Sequence, residues 1–293
     1  MSKEPAQAGQ ILVIGASGGV GRSLTRLLLH RGYGVMGSAL DQADLDEMKK
    51  AELGGAHLFI ANFSNADAGA AQVRAALDQS AQPLAAVISC LGVNPAGPLE
   101  TAPLDVFRRT IEINTISNLA LYQTALPRLR RDNGRFIFVS SMSAKVAFPL
   151  LGHYTASKFA REGLADTMRL EAGQWGVPVV LIEPGAIATA MVHGFAAQLD
   201  RSLAQLDDQG RKNYGDYFSQ QRAFSQTADT ISVSPEVVAD TILNALEADV
   251  PQTRYPVGSA VDLLELRRTS SDIEIDAIFN QMLPGNRTAA EVD

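Results

Sequence analysis

Short apolar runs alternate with helix-period segments along most of the chain, and this constrains the fold more than any other feature. "QILVIG" (Gln10 to Gly15) is a continuous apolar run, the pattern of a strand buried on both faces. "GRSLTRLLLHRG" follows with helical spacing and closes on Gly32, a C′ glycine. The same alternation gives strands at "YGVMGSAL", "AHLFIAN", "AAVISCLG", "GRFIFVSS", "VPVVLIEPG" and a short last one at Tyr255 to Val257. Helical patterns lie between them at Asp44 to Leu53, Ala66 to Gln79, Asp105 to Glu112, Ser117 to Leu129 and Tyr154 to Gln174. Pro127 opposes the fourth of these, because proline removes a backbone donor. The expected fold is α/β: a doubly wound parallel sheet (Rossmann fold) of about seven strands with helices on both faces.

No internal repeat and no linker interrupts the rhythm, so residues 10–293 read as a single catalytic domain after a flexible lead-in at 1–9. From about 190 to 232 the rhythm breaks. This segment carries Phe195, Tyr214, Tyr217, Phe218 and Phe224. Open α/β sheets bind ligands at the carboxyl ends of their strands, so an insert after the sixth strand is expected to cover the substrate.

With 46% apolar residues among 293, a large core is available, and the net charge of −7 excludes the basic face of a nucleic-acid binder. Cys90 is the single cysteine, so no disulfide forms within the chain, as suits a reducing compartment. No apolar run approaches the roughly 20 residues of a membrane span. A soluble, cytoplasmic protein is expected. No cluster of residues has metal-ligand spacing.

The first strand runs into "GASGGVGRSL", where Gly15, Ser17, Gly18, Gly19, Val20 and Gly21 form a glycine-rich turn into a helix. Glycines permit the turn and let backbone approach a pyrophosphate, while the helix N-terminus offers N–H donors. This context points to a dinucleotide. In "GHYTASKFA", Tyr154 and Lys158 stand one helical turn apart, with small residues between. Ketone reduction needs a proton on oxygen, and a free phenol, with a pKa of about 10, exchanges poorly near neutral pH. A lysine cation one turn away is expected to favour the phenolate.

On these motifs the chain resembles the short-chain dehydrogenase/reductase family. Gly15, Gly19 and Gly21 match its G-x-x-x-G-x-G, and Tyr154 and Lys158 its Y-x-x-x-K. The resemblance implies a catalytic serine at Ser141, thirteen residues before the tyrosine, and a catalytic asparagine at Asn114 that holds a water behind the lysine. It further implies cofactor contacts at Pro184, Gly185 and Thr189, at Gly92 in a degraded "CLG", and at Asn62 and Phe63 beside the adenine. Lys158 would also hold the nicotinamide ribose. Ser141 would donate to the developing alkoxide.

An NAD enzyme places an acid after its second strand. Asp41 stands just beyond it, and no basic residue occurs between Arg31 and Lys49, so NAD is expected, with NADP also compatible. The tail "TRYPVGSAVDLLELRR" resembles hydroxysteroid and retinol dehydrogenase-like members, implying a bulky lipophilic alcohol or ketone substrate; separately, a homodimer or homotetramer is expected. The competing expectation is an idle dinucleotide-binding redox sensor.

Overall fold

The computed structural model describes residues 9–51 and 53–282. The expected flexible lead-in, apart from Gly9, lies outside them. Seven strands form one sheet: β1 (Gln10–Ile14), β2 (Gly34–Ala39), β3 (His57–Ile60), β4 (Leu84–Ser89), β5 (Arg135–Val139), β6 (Val179–Pro184) and β7 (Arg254–Val257). Their order is β3-β2-β1-β4-β5-β6-β7, and every pairing is parallel. The order reverses between β1 and β4, which opens a crevice at their carboxyl ends.

Alternate residues of each strand feed two cores. Ile11 and Val13 of β1 face a layer of α1 (Gly19–His30), α2 (Gln42–Lys50) and α10 (Pro235–Glu247). Leu12 and Ile14 face α3 (Ala66–Asp78), α5 (Ser117–Asp132) and α6 (Gly152–Ala172). All four are fully buried, which explains why β1 is apolar at every position. The helix after β1 ends as expected. Gly32 is left-handed at φ +82, Tyr33 N–H reaches Leu28 O at 3.0 Å, and Gly32 N–H reaches Leu29 O at 3.0 Å, a Schellman closure.

The run between β4 and β5 is nearly continuous helix. α4 (Leu104–Ile111) passes into a π-helical turn, Glu112–Ile116, and then α5. Pro127 sits inside α5, which continues to Asp132 despite the lost donor. The segment after β6 holds α7 (Ala190–His193), α8 (Phe195–Ala204) and α9 (Asp208–Ile231). It packs on a small core of its own, with Leu199, Leu206 and Phe218 against Leu150. The chain then adds α10, β7, α11 (Ala260–Thr269) and α12 (Asp272–Met282).

Candidate active site

The loop after β1 turns at Gly15 with φ +77, where a side chain would be strained. Its N–H is held by Ser38 Oγ of β2 at 2.9 Å. α1 then starts at Gly19 with no side-chain cap and no acid in its first turn, so its leading N–H groups and positive end remain available to an anion. Two close approaches exclude side chains here. A Cβ on Gly21 would lie 2.1 Å from Gly15 O, and one on Gly19 would lie 2.6 Å from Thr189 Cγ2. Ser17 and Gly18 complete the turn, and Val20 is buried in the core.

A cavity of about 360 Å³ opens from this loop. Gly15, Gly18, Gly19, Val20 and Gly21 line one part, and Gly92, Pro184, Gly185 and Thr189 another. Ser141, Tyr154 and Lys158 also line it. A glycine cradle, a free helix N-terminus and an adjacent lysine fit a dinucleotide: the loop would take the pyrophosphate and Lys158 the ribose hydroxyls.

The chemistry-bearing side chains come from three elements. Ser141 follows β5, and its Oγ accepts from Ser143 N–H at 3.1 Å while the hydroxyl hydrogen-bonds the Tyr154 phenol. Tyr154 and Lys158 stand on α6, with Lys158 Nζ 5.3 Å from the centre of the tyrosine ring. Lys158 is 3% exposed, and its ammonium points at Ser140 O (3.3 Å) and Val139 O (3.4 Å). Burial pushes the Tyr154 phenol above its ordinary value, and the Ser141 hydrogen bond and the Arg161 cation pull it back. Burial, then Arg161, drives the Lys158 ammonium well below its ordinary value, with Glu162 opposing. In the chain by itself the net direction for Tyr154 is therefore upward, contrary to the effect expected of the lysine alone.

Asn114 lies in the π-helical turn and is fully buried. Its Oδ1 accepts from Val93 N–H at 2.8 Å, and its Nδ2 donates to Val93 O at 2.9 Å and Ser157 Oγ at 2.8 Å. Its main-chain carbonyl accepts from Arg161 Nε at 2.8 Å and Asn118 Nδ2 at 3.0 Å. A carbonyl has two lone pairs, so the main-chain oxygen is fully taken, while Oδ1 accepts one bond and keeps its second lone pair for a further donor such as the expected water. Asn114 here fastens the segment after β4 to α6.

Other expected residues fall differently. Asp41 is exposed beyond β2, but its Oδ1 caps α2 by accepting Asp44 N–H at 2.9 Å. Asn62 closes its own turn, accepting from Ser64 N–H at 2.9 Å. The Phe63 side chain is 2% exposed and packs into the core against Gly69, and its carbonyl accepts from Ser117 Oγ at 3.1 Å. Of the five insert aromatics, Phe195 and Phe224 line the cavity. Phe218 is core of the insert, and Tyr214 hydrogen-bonds Glu100, with its ring tilted 6.5 Å from that of Tyr217. Among the described residues none after Ser225 lines the cavity. His153, which reads as half-exposed from sequence, is buried against Phe107.

The sequence reading missed two residues. Gln221 of α9 is 7% exposed and lines the cavity. Arg161, two turns beyond Tyr154 on α6, is 1% exposed. The Cys90 thiol also lines the cavity, and burial pushes it up to about 12, which leaves it protonated and unreactive. No group of three or more potential metal ligands occurs among the described residues.

The family model for short chain dehydrogenase matches residues 10–200. The mitochondrial D-beta-hydroxybutyrate dehydrogenase of Bos taurus is 27% identical over 270 residues, covering 87% of this chain and 78% of that protein. Retinol dehydrogenase 5 of Mus musculus is 27% identical over 295 residues, covering 96% and 90%. Among solved structures, a short chain dehydrogenase from Burkholderia cenocepacia in complex with NADP superposes with a TM-score of 0.68 at 21% identity, covering 94% of this chain and 97% of that one. The chain belongs to the short-chain dehydrogenase family and is an NAD(P)-dependent oxidoreductase of the alcohol–ketone pair.

Proposed function

We propose that the enzyme interconverts a neutral, bulky, lipophilic secondary alcohol and its ketone, with Tyr154 as the general acid of reduction and base of oxidation. The observation that carries this reading is the cavity itself. Ser141 and Tyr154 meet in one wall, and Phe148, Leu151, Met191, Val192, Phe195 and Phe224 supply apolar surface around them. A bound nicotinamide supplies or accepts the hydride. Ser141 and Tyr154 would hold the substrate oxygen between two hydroxyls, Tyr154 would pass the proton, and Lys158 would steady the phenolate left behind.

The insert offers no cation to a charged substrate. Arg211 and Arg222 pair with Asp208 and Asp200, and no Arg or Lys of the insert lines the cavity. A carboxylate would lack a bidentate partner. Each buried methylene adds about 0.8 kcal/mol of binding. Steady-state kinetics on lengthening alkyl and aryl ketones should therefore show kcat/KM climbing until the cavity is full. A flat series, or better turnover of 3-hydroxybutyrate, would remove the lipophilic substrate and leave the family assignment intact.

For the cofactor we favour NAD. Asp41 stands exposed beyond β2, where its charge repels a 2′-phosphate. Arg22, the basic side chain that follows the glycine turn, is held by Glu47 at 2.9 Å and by Ser17 O at 3.2 Å. Ser38 is buried with its hydroxyl on Gly15 N–H, so it offers the phosphate nothing. The expected result is a higher kcat/KM with NADH than with NADPH. A tenfold preference for NADPH, about 1.4 kcal/mol, would show that Arg22 leaves Glu47 for the phosphate.

No helix among the described residues is long and apolar enough to cross a membrane, and the chain has the single thiol Cys90. Both support our placing the enzyme in the cytoplasm. Exposed Phe159 and Leu170 on α6 support a homo-oligomer, which light scattering would test against a monomer.

A further inference from the structure

We propose that Arg161 is a positioning residue of this active site. Its buried guanidinium ties α6, which carries Tyr154 and Lys158, to the segment after β4, the end of β5 and the π-helical turn, and keeps a fixed positive charge beside Tyr154 and Lys158. The proposal rests on reading Tyr154 as the acid/base.

Arg161 lies three residues after Lys158 and seven after Tyr154, on the same side of α6. Its three nitrogens donate to three main-chain carbonyls from separate segments. Nη2 reaches Leu91 O at 2.7 Å, next to Gly92 in the cavity wall. Nη1 reaches Val139 O at 2.7 Å, at the end of β5 and two residues before Ser141. Nε reaches Asn114 O at 2.8 Å, in the π-helical turn. The Asn114 carbonyl in that turn accepts from two side-chain donors, Arg161 Nε and Asn118 Nδ2 at 3.0 Å, which fills both of its lone pairs. The planar fork of arginine satisfies three carbonyls at fixed angles, which a lysine cannot do.

No carboxylate pairs with Arg161 among the described residues. Its neighbour Glu162 is already taken by Ser140 Oγ at 2.6 Å, Lys145 at 3.1 Å and Arg254 at 3.0 Å. A buried cation held by dipoles alone keeps its net charge, and that charge acts on whatever titrates nearby. Burial brings the guanidinium down to about 10, so it stays charged at neutral pH. It lowers both the Lys158 ammonium and the Tyr154 phenol. The other charged or titratable groups around this trio are Glu162 and His153 on α6, Cys90 after β4, Lys145 after β5, Glu183 on β6 and Arg254 on β7. Glu162 is held by Arg254 and Cys90 stays protonated, so a change at Arg161 leaves both in place; burial and Glu162 push the Glu183 carboxyl up to about 7, a titration that wild type and the variants share.

The test is the pH dependence of kcat/KM for alcohol oxidation by the full-length enzyme with saturating dinucleotide. Its acidic limb reports the group that must lose its proton. Arg161→Met removes the charge and should move that limb to higher pH, by about one to three units for an opposite charge at close range. Arg161→Lys keeps the charge and loses the fork. It should keep the limb within a few tenths of a unit of wild type while lowering the melting temperature. Arg161→Gln keeps two N–H donors without charge, so it serves where the methionine variant does not fold, and it should shift the limb as methionine does. A neutral variant with a wild-type limb would overturn the proposal, and so would equal shifts in the lysine and neutral variants. Tyr154→Phe, run alongside, separates the two ideas. If it keeps its activity, the acid/base reading falls; if it is inactive while the Arg161 limbs do not move, only Arg161 falls.

Discussion

Tyr154→Phe should lower kcat by about 10² to 10⁴ in either direction, the usual worth of positioned acid–base assistance. The substitution removes one oxygen from a side chain whose ring is already packed beside Lys158, so the fold and the glycine cradle stay as they are. Dinucleotide affinity, measured by quenching of protein fluorescence or by titration calorimetry, should change little. The hydroxyl of Ser141 loses its partner and remains in the cavity, where it still offers one hydrogen bond to a substrate oxygen. KM should therefore rise less than kcat falls. Wild-type kcat in this variant would take Tyr154 out of the mechanism.

The sheet was legible because parallel strands buried on both faces must be apolar at every position, and Ile11 to Ile14 show that without exception. The glycine turn was legible because Gly15 is left-handed at φ +77 and Gly21 meets backbone that admits no side chain. Asp41 shows how one residue type answers two questions. An acid after a strand suits a ribose, and an acid three residues before Asp44 at a helix start suits an N-cap. The structure uses its Oδ1 for the cap and leaves the residue exposed, so the cap was readable in the spacing and went unread.

Arg161 and Glu162 illustrate the harder limit. Charged residues inside a helical pattern read as solvent-facing. Both are buried, because strand ends and a π-helical turn leave carbonyls that only a long donor can reach, and because Arg254 arrives from β7 to neutralise Glu162. These partners lie 47, 22 and 92 residues away in sequence, and no local period encodes them. The insert aromatics fail for a related reason. Helical spacing on α9 does not say whether a ring meets the cavity, as Phe224 does, or the insert's own core, as Phe218 does.

Lys158→Met should abolish most turnover and weaken dinucleotide binding together, and it should do so in a protein at least as stable as wild type. The ammonium is 3% exposed and has only two long contacts to carbonyls, at 3.3 and 3.4 Å, in return for its lost hydration. Burial and the Arg161 cation hold its pKa well below 10.5. A base whose pKa is lower in the folded state than in the unfolded one binds fewer protons when folded, within the window between the two values. Unfolding free energy therefore rises with pH through that window, up to about 10.5, and the full penalty applies below it. Methionine has similar length and no charge to bury, so the variant should lack that rise and melt no lower than wild type at neutral pH. Denaturant unfolding at neutral and alkaline pH measures the first effect, and dinucleotide titration with steady-state kinetics measures the second. Loss of activity in a fold of undiminished stability assigns the loss to chemistry and cofactor contact. A variant that binds dinucleotide normally and loses only kcat would confine Lys158 to electrostatic support of the tyrosine. A destabilised variant would mean that the ammonium finds better hydrogen bonds in the fold than its two carbonyls supply.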